Sequence, residues 1–347
     1  MQRQTVKKDD CHRPSRRSVL KAAAVAAAGW LGQRLWGQSR PSSRPASAPA
    51  SRPALRPVPT PWWLREDRGR ARVVDVRSAA ALTDSLPDPV TVEELLDQGI
   101  LYLTEAETLP EAWRAALGNA RNVVIKFNSV GAQALATNDA LARAIVARLR
   151  LAGYPREAIT LVEAPHYLYD QLGVRRPVSG WGKSISVSGQ VQPLARYFLE
   201  ADAVINVPLL KTHQIAGMSC CMKNLSHAII RHPARCHADG CSPYVGQVIG
   251  HPEVSRRIKL HVVNALRVVF NRGPDATPED IGDYGGLLLG FDPLAIDLVG
   301  RSILGMERRQ RNMSAWFAVP SMDTAAEMGV GRWRPAEIER IALELAG

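Results

Sequence analysis

The feature that most constrains the fold is a repeated change of hydrophobic period. Short apolar runs recur as NVVIKFN at 122–128, ITLVEA at 159–164, AVINVPLL at 203–210, LHVVNAL at 260–266 and GLLLG at 286–290. They are too continuous for strands with one wet face, and they read as strands covered on both sides. Between and after them, NDALARAIVARLRLAG at 138–153 and DPLAIDLVGRSILG at 292–305 place apolar residues at helical spacing. The first closes on Gly153 with Arg148 and Arg150 in its last turns. The second opens on Asp292 as N-cap, with Pro293 at the first helical position, where a missing N–H does no harm. The alternation predicts an α/β fold, a mostly parallel sheet with helices on both faces.

In such sheets ligands gather beyond the carboxyl ends of the strands. That rule picks out Lys126 and Asn128 after one run, Glu163 and His166 after the next, and Lys211 to His213 after a third. The segment KTHQIAGMSCCMKN, 211–224, adds Lys223 and Asn224. Three lysines, a histidine and two amides are a donor-rich set suited to a small anionic ligand, a phosphate or a carboxylate. If Gly217 opens the following helix, its free N–H groups add to that set. A lysine near other cations loses basicity and can then act as base or nucleophile, and a histidine moves protons near neutral pH. Lys211, His213 and Lys223 are therefore the catalytic candidates. Lys126, Asn128, Asn224 and Asp297 are the ligand-binding candidates. Each has a plainer alternative: a strand-end lysine as a solvated rim residue, His213 as a structural histidine, Asp297 as a cap or a partner for a lysine.

Cys220 and Cys221 are adjacent, and Cys236 and Cys241 enclose four residues in CHADGC. After export one of the adjacent pair could bridge to Cys236 or Cys241. Alternatively the four, or Cys236, His237 and Cys241 with His232, hold a metal ion or an iron–sulfur cluster, or the thiols stay unmodified. No C-x-x-C-x-x-C run is present, so a standard cluster-binding module is absent.

The chain has a formal net charge of +11, with 44 Lys and Arg against 33 Asp and Glu. Residues 1–72 hold 16 of the former and 4 of the latter, which leaves 28 and 29 in the rest. The folded part is near neutral, so nucleic-acid binding loses its compositional support. The basic leader, 1–38, contains SRRSVLKAAAVAAAGWLG, with Arg16 and Arg17 ahead of a short alanine-rich run. It looks like a twin-arginine signal, which predicts passage through the twin-arginine export machinery to a periplasmic or other extracytoplasmic location, with a retained signal as a tether if cleavage does not occur. Residues 39–72, rich in Pro, Ser and Arg, read as a disordered linker, and 73–347 as the α/β domain.

Four motifs together resemble the family described as Domain of unknown function (DUF362): IKFNSVG at 125–131, VINVPLLKTH at 204–213, GMSCCMKNL at 217–225 and GFDPLAIDLVG at 290–300. The resemblance runs from about Val123 to Gly305 and implies a fold and a site without a reaction. Relatives often carry Asp in the segment aligned with LHVVNAL. This chain has Asn264 there, which cannot accept a proton or ligate a metal as a carboxylate would. A weaker likeness, to the N-terminal domain of nickel-pincer lactate racemase, rests on the cadence of THQIAGMSCCMK, without the paired glycines expected before the lysine.

Overall fold

The apolar runs assemble into one nine-stranded sheet in a computed structural model that describes residues 55–66 and 69–346. Its strands are β1 (Ala71–Ser78), β2 (Val123–Lys126), β3 (Ile159–Val162), β4 (Ala203–Asn206), β5 (Leu209–His213), β6 (Gly217–Ser219), β7 (Ile258–Val269), β8 (Ile281–Gly290) and β9 (Ile338–Leu345). The order is β9-β1-β8-β7-β4-β2-β3, with β5 joined to β7 and β6 to β5. Pairings β1–β9, β4–β7, β5–β7, β2–β3 and β2–β4 are parallel, whereas β8 runs antiparallel to both neighbours and β6 antiparallel to β5. The expected mostly parallel α/β sheet is present.

Alternation along the strands divides the core in two. Val123, Ile125, Ala203, Ile205, Leu287 and Leu289 pack under helices α1 (Pro89–Thr104), α2 (Leu109–Leu117) and α3 (Asn138–Leu151). Val124, Val204 and Leu288 face the other way, under α4 (Cys221–Ala228), α5 (Tyr244–Gly250), α6 (Pro293–Arg309) and α7 (Pro320–Glu327). Both faces are dry, which is why these strands carry no polar alternation.

Two expectations need correction. AVINVPLL is two strands: β4 ends at Asn206 and β5 begins at Leu209, with Pro208 between them. A proline has no N–H for the ladder, and its carbonyl instead accepts from Asn264 N at 2.8 Å. The linker also ends earlier than residue 72. Val58 N donates to Met328 O at 2.9 Å, and Trp63, 3 % exposed, donates its indole N–H to Val330 O at 2.9 Å. Leu55, Trp62 and Leu64 lie on the same core, so the apolar area of five residues overrides a composition that, averaged, reads as tether. β1 likewise starts at Ala71. The signal region 1–38 and linker residues 39–54 lie outside the described residues. Among the described residues no helix is long and apolar enough to cross a membrane.

Candidate functional site

The parallel register sets Lys126 level with Val162 and Asn206, so the residues that follow these strand ends share one rim. Lys126 points to the α4 side and is 2 % exposed. Its ammonium donates to Asn224 Oδ1 at 2.7 Å and to Asn224 O at 3.1 Å, and lies 3.2 Å from Glu163 Oε1. Glu163, just past β3, accepts from Ser129 N and Oγ through its other oxygen. Burial lowers the Lys126 pKa to about 8, the Glu163 charge opposing and the Lys223 charge adding to the effect. Asn224 passes the chain inward: its Nδ2 donates to Asn206 Oδ1 at 2.8 Å, and Asn206 Nδ2 donates to Cys221 O at 2.8 Å.

Lys211 and Lys223 are bound differently. Lys211, also 2 % exposed, donates to the Val130 carbonyl and, at 3.3 Å, to Asn128 Oδ1, with no carboxylate in contact. Burial, then repulsion from Lys223 and Lys126, lowers its pKa to about 8. Lys223, on α4, is 9 % exposed, and its ammonium makes no hydrogen bond or ion pair among the described residues. Among the described residues one carboxylate, Glu163, thus lies with three nearly buried lysines and pairs with Lys126 alone. His166, expected on this rim, is exposed and lies against Tyr169 instead.

His213 closes β5. Its Nδ1 accepts from Ile215 N and Ala216 N, both at 3.2 Å, so the neutral ring carries its proton on Nε2. Burial, with Lys223, His237 and Lys211 behind it, lowers its pKa to about 4. The ring is then a neutral Nε2–H donor at pH 7. His237 stacks on it with ring centroids 6.1 Å apart, and His227 meets His237 edge-on at 4.6 Å. Sequence reasoning passed over His227. The signal was there: Lys223 and His227 are four apart on α4 and so share a face.

Asp297, expected to bind a ligand or to act as a cap, is a cap in this arrangement. It sits on α6, 3 % exposed, and caps α4: Oδ1 accepts from Cys221 N at 2.7 Å and Oδ2 from Met222 N at 3.2 Å. Burial nevertheless raises its pKa to about 7. The same contacts correct the expectation for Gly217. It opens β6 rather than a helix, and the first N–H groups of α4 are already taken by Asp297. Gly217 has φ +77°, and a Cβ there would strike the Ala318 carbonyl oxygen, so a glycine is what lets the β5–β6 turn pass.

Cys220, Cys221, Cys236 and Cys241 are all buried and unbridged. They do not converge as the proposed metal or cluster set. Cys220 and Cys221 lie beside Asp297 at the start of α4, whereas Cys241 lies with His227 and His237 near its end. Cys236 contacts Gln192 Nε2 at 3.9 Å. Four thiolates for an iron–sulfur cluster are therefore not brought together. Asn264 is likewise committed, donating to Asn138 Oδ1 at 3.1 Å and accepting from Leu266 N.

No curated protein significantly matches the chain. Among solved structures, the lactate racemase apoprotein from Thermoanaerobacterium thermosaccharolyticum is 11 % identical with a TM-score of 0.37. The alignment covers 71 % of this chain and 62 % of that one, so the chain spans less than two thirds of that protein. Residues 170–302, which supply Lys211, His213, Lys223, Asn224 and Asp297, match the model of the family described as Domain of unknown function (DUF362).

Proposed function

We propose that the rim of Lys126, Asn128, Lys211, His213, Lys223 and Asn224 binds a small anion, a carboxylate or a phosphate, in an enzyme-like domain. The observation that carries this is the charge imbalance: three lysines at most 9 % exposed as residues, with one carboxylate among them in the described residues. An uncompensated buried charge costs several kcal/mol, and a bound anion would remove that cost. Lys223 and the Nε2–H of His213 supply donors that no group among the described residues uses. Lys211, its pKa lowered to about 8, is the group best placed to exchange a proton with the ligand near neutral pH.

Lys223→Met separates binding from stability. The variant keeps the apolar stem and removes an unpaired charge, so without ligand it is expected to be as stable as the wild type or about 1 kcal/mol more stable. It is expected to lose at least tenfold in anion affinity. Thermal unfolding in a series of phosphate and small carboxylates measures both, since a ligand at 100 times its Kd stabilises by about 2.7 kcal/mol. If no anion raises the wild-type transition, or Lys223→Met responds as the wild type does, the rim is scaffold.

The leader supports a second proposal, export in folded form by the twin-arginine route, which rests on Arg16 and Arg17 ahead of the alanine-rich run. Replacing both by Lys is expected to leave folded protein in the cytoplasm, as read by fractionation. Undiminished export of that variant would rule the assignment out.

A further inference from the structure

His227, His237 and Cys241 each offer a ligand atom, and the three atoms lie within 4.8 Å of one another. The edges of a zinc tetrahedron with two nitrogens and one sulfur are about 3.3–3.6 Å, so side-chain rotations of modest size would close the set. Hydrogen bonds on the far side of each ring decide which nitrogen is offered. His237 Nδ1 is 3.1 Å from the Pro233 carbonyl, which can only accept, so Nδ1 carries the proton and Nε2 keeps its lone pair. Ser226 Oγ donates to Lys223 O at 3.3 Å and is 3.0 Å from His227 Nδ1. When the hydroxyl proton goes to the Lys223 carbonyl, Oγ accepts from His227 Nδ1 and Nε2 keeps its lone pair; the other tautomer would turn an Nε2 proton toward the Cys236 carbonyl, and a metal ion at the site selects the first.

That second nitrogen is the independent sign of a ligand. His227 Nε2 is buried and has no hydrogen-bond partner, although the Cys236 carbonyl interacts with the ring. Metal-binding histidines characteristically donate their other ring N–H to a carbonyl, carboxylate or water, which fixes the tautomer and the ring orientation. His237 has such a bond to a carbonyl, and His227 has its counterpart to a hydroxyl. We propose that His227 Nε2, His237 Nε2 and Cys241 Sγ form a three-ligand site for Zn2+ or a similar borderline divalent ion, separate from the lysine rim but adjoining it at Lys223. Three protein ligands leave a fourth position to water or to an anion, the arrangement found where zinc takes part in chemistry rather than holding a fold. His213 is excluded as fourth ligand, because the backbone N–H groups on Nδ1 put its proton on Nε2.

The test uses the full chain, stripped with a chelator and titrated with Co2+ in an anion-poor buffer, then with Zn2+ in competition. One equivalent of Co2+ is expected to bind with a thiolate-to-metal charge-transfer band and tetrahedral d–d absorption, and Zn2+ is expected to displace it. Cys241→Ser is expected to abolish the charge-transfer band, and His227→Asn and His237→Asn each to weaken binding at least tenfold. Lys223→Met is expected to retain the metal while losing the anion, so failure of the anion reading and failure of this one are distinguishable. Absence of the band in the wild type overturns the site whatever the variants do. A band that survives in Cys241→Ser reports Cys11 or another thiol and overturns it as well.

Discussion

Lys126→Met is expected to destabilise the protein by about 3–5 kcal/mol, the size of effect seen when one partner of a buried ion pair is removed. The contrast with Lys223→Met follows from what each ammonium touches. Lys126 satisfies Asn224 twice and pairs with Glu163, so its loss leaves two buried Asn224 oxygens without their donor and removes the ion pair of Glu163, which keeps its Ser129 bonds and partial access to water. The loss spreads, because Asn224 orients Asn206 and Asn206 holds the Cys221 carbonyl in the first turn of α4. Urea unfolding at pH 7 gives the number. A second substitution, Glu163→Gln, in the Lys126→Met background is expected to recover part of the loss by removing the stranded charge. A Lys126→Met variant within about 1 kcal/mol of the wild type would mean that the polar chain is loose and solvated, contrary to the burial of Lys126 and Asn224.

The interior strands were legible because both of their faces are dry, so NVVIKFN, ITLVEA and LHVVNAL announce themselves without any partner in view. β1 and β9 were not. ARVVDVRS holds a buried aspartate that is acceptable only because Tyr284 and Arg340 reach it from distant parts of the chain. IERIALEL is an edge strand with one half-covered face, and its pattern is close to that of a helix. The site divides the same way. Lys126, Asn128, Lys211 and His213 could be placed because a strand end is a local feature that topology turns into a rim. For Asp297 the sequence left a ligand role and a cap side by side, because the helix it caps is α4, from another part of the chain, and a cap contributed across 76 residues leaves no local signature. His227 and Cys241 meet through the turns after α4, whose path the spacing of the cysteines did not reveal.

The stability of the protein is expected to fall steeply as the pH drops below about 6.5, with much of the loss traced to His261. This residue lies on β7, fully buried, and burial lowers its pKa to about 3. The hydrogen bonds explain why the charged form has no place there. Asn206 accepts from Asn224 through Oδ1, which leaves its Nδ2 to face Cys221 O and, at 3.0 Å, His261 Nδ1. His261 Nδ1 must therefore accept, and a proton added there would confront the amide donor. Nε2 carries the ring's only proton and has no partner. Because the folded pKa lies below the unfolded value, the unfolded chain binds the extra proton between them. The contribution is complete above pH 6.5 and is lost as the pH falls toward 3. At about 1.4 kcal/mol per pH unit, His261 should remove roughly 2–3 kcal/mol between pH 6.5 and 4.5. His261→Gln keeps an acceptor for Asn206 and cannot titrate, so its stability should fall less over that interval by this amount. The check is the difference between urea midpoints of the two proteins at pH 7.5, 6.5, 5.5 and 4.5. Parallel curves would show that the histidine is protonated in the folded state and that the Asn206 amide turns to accommodate it.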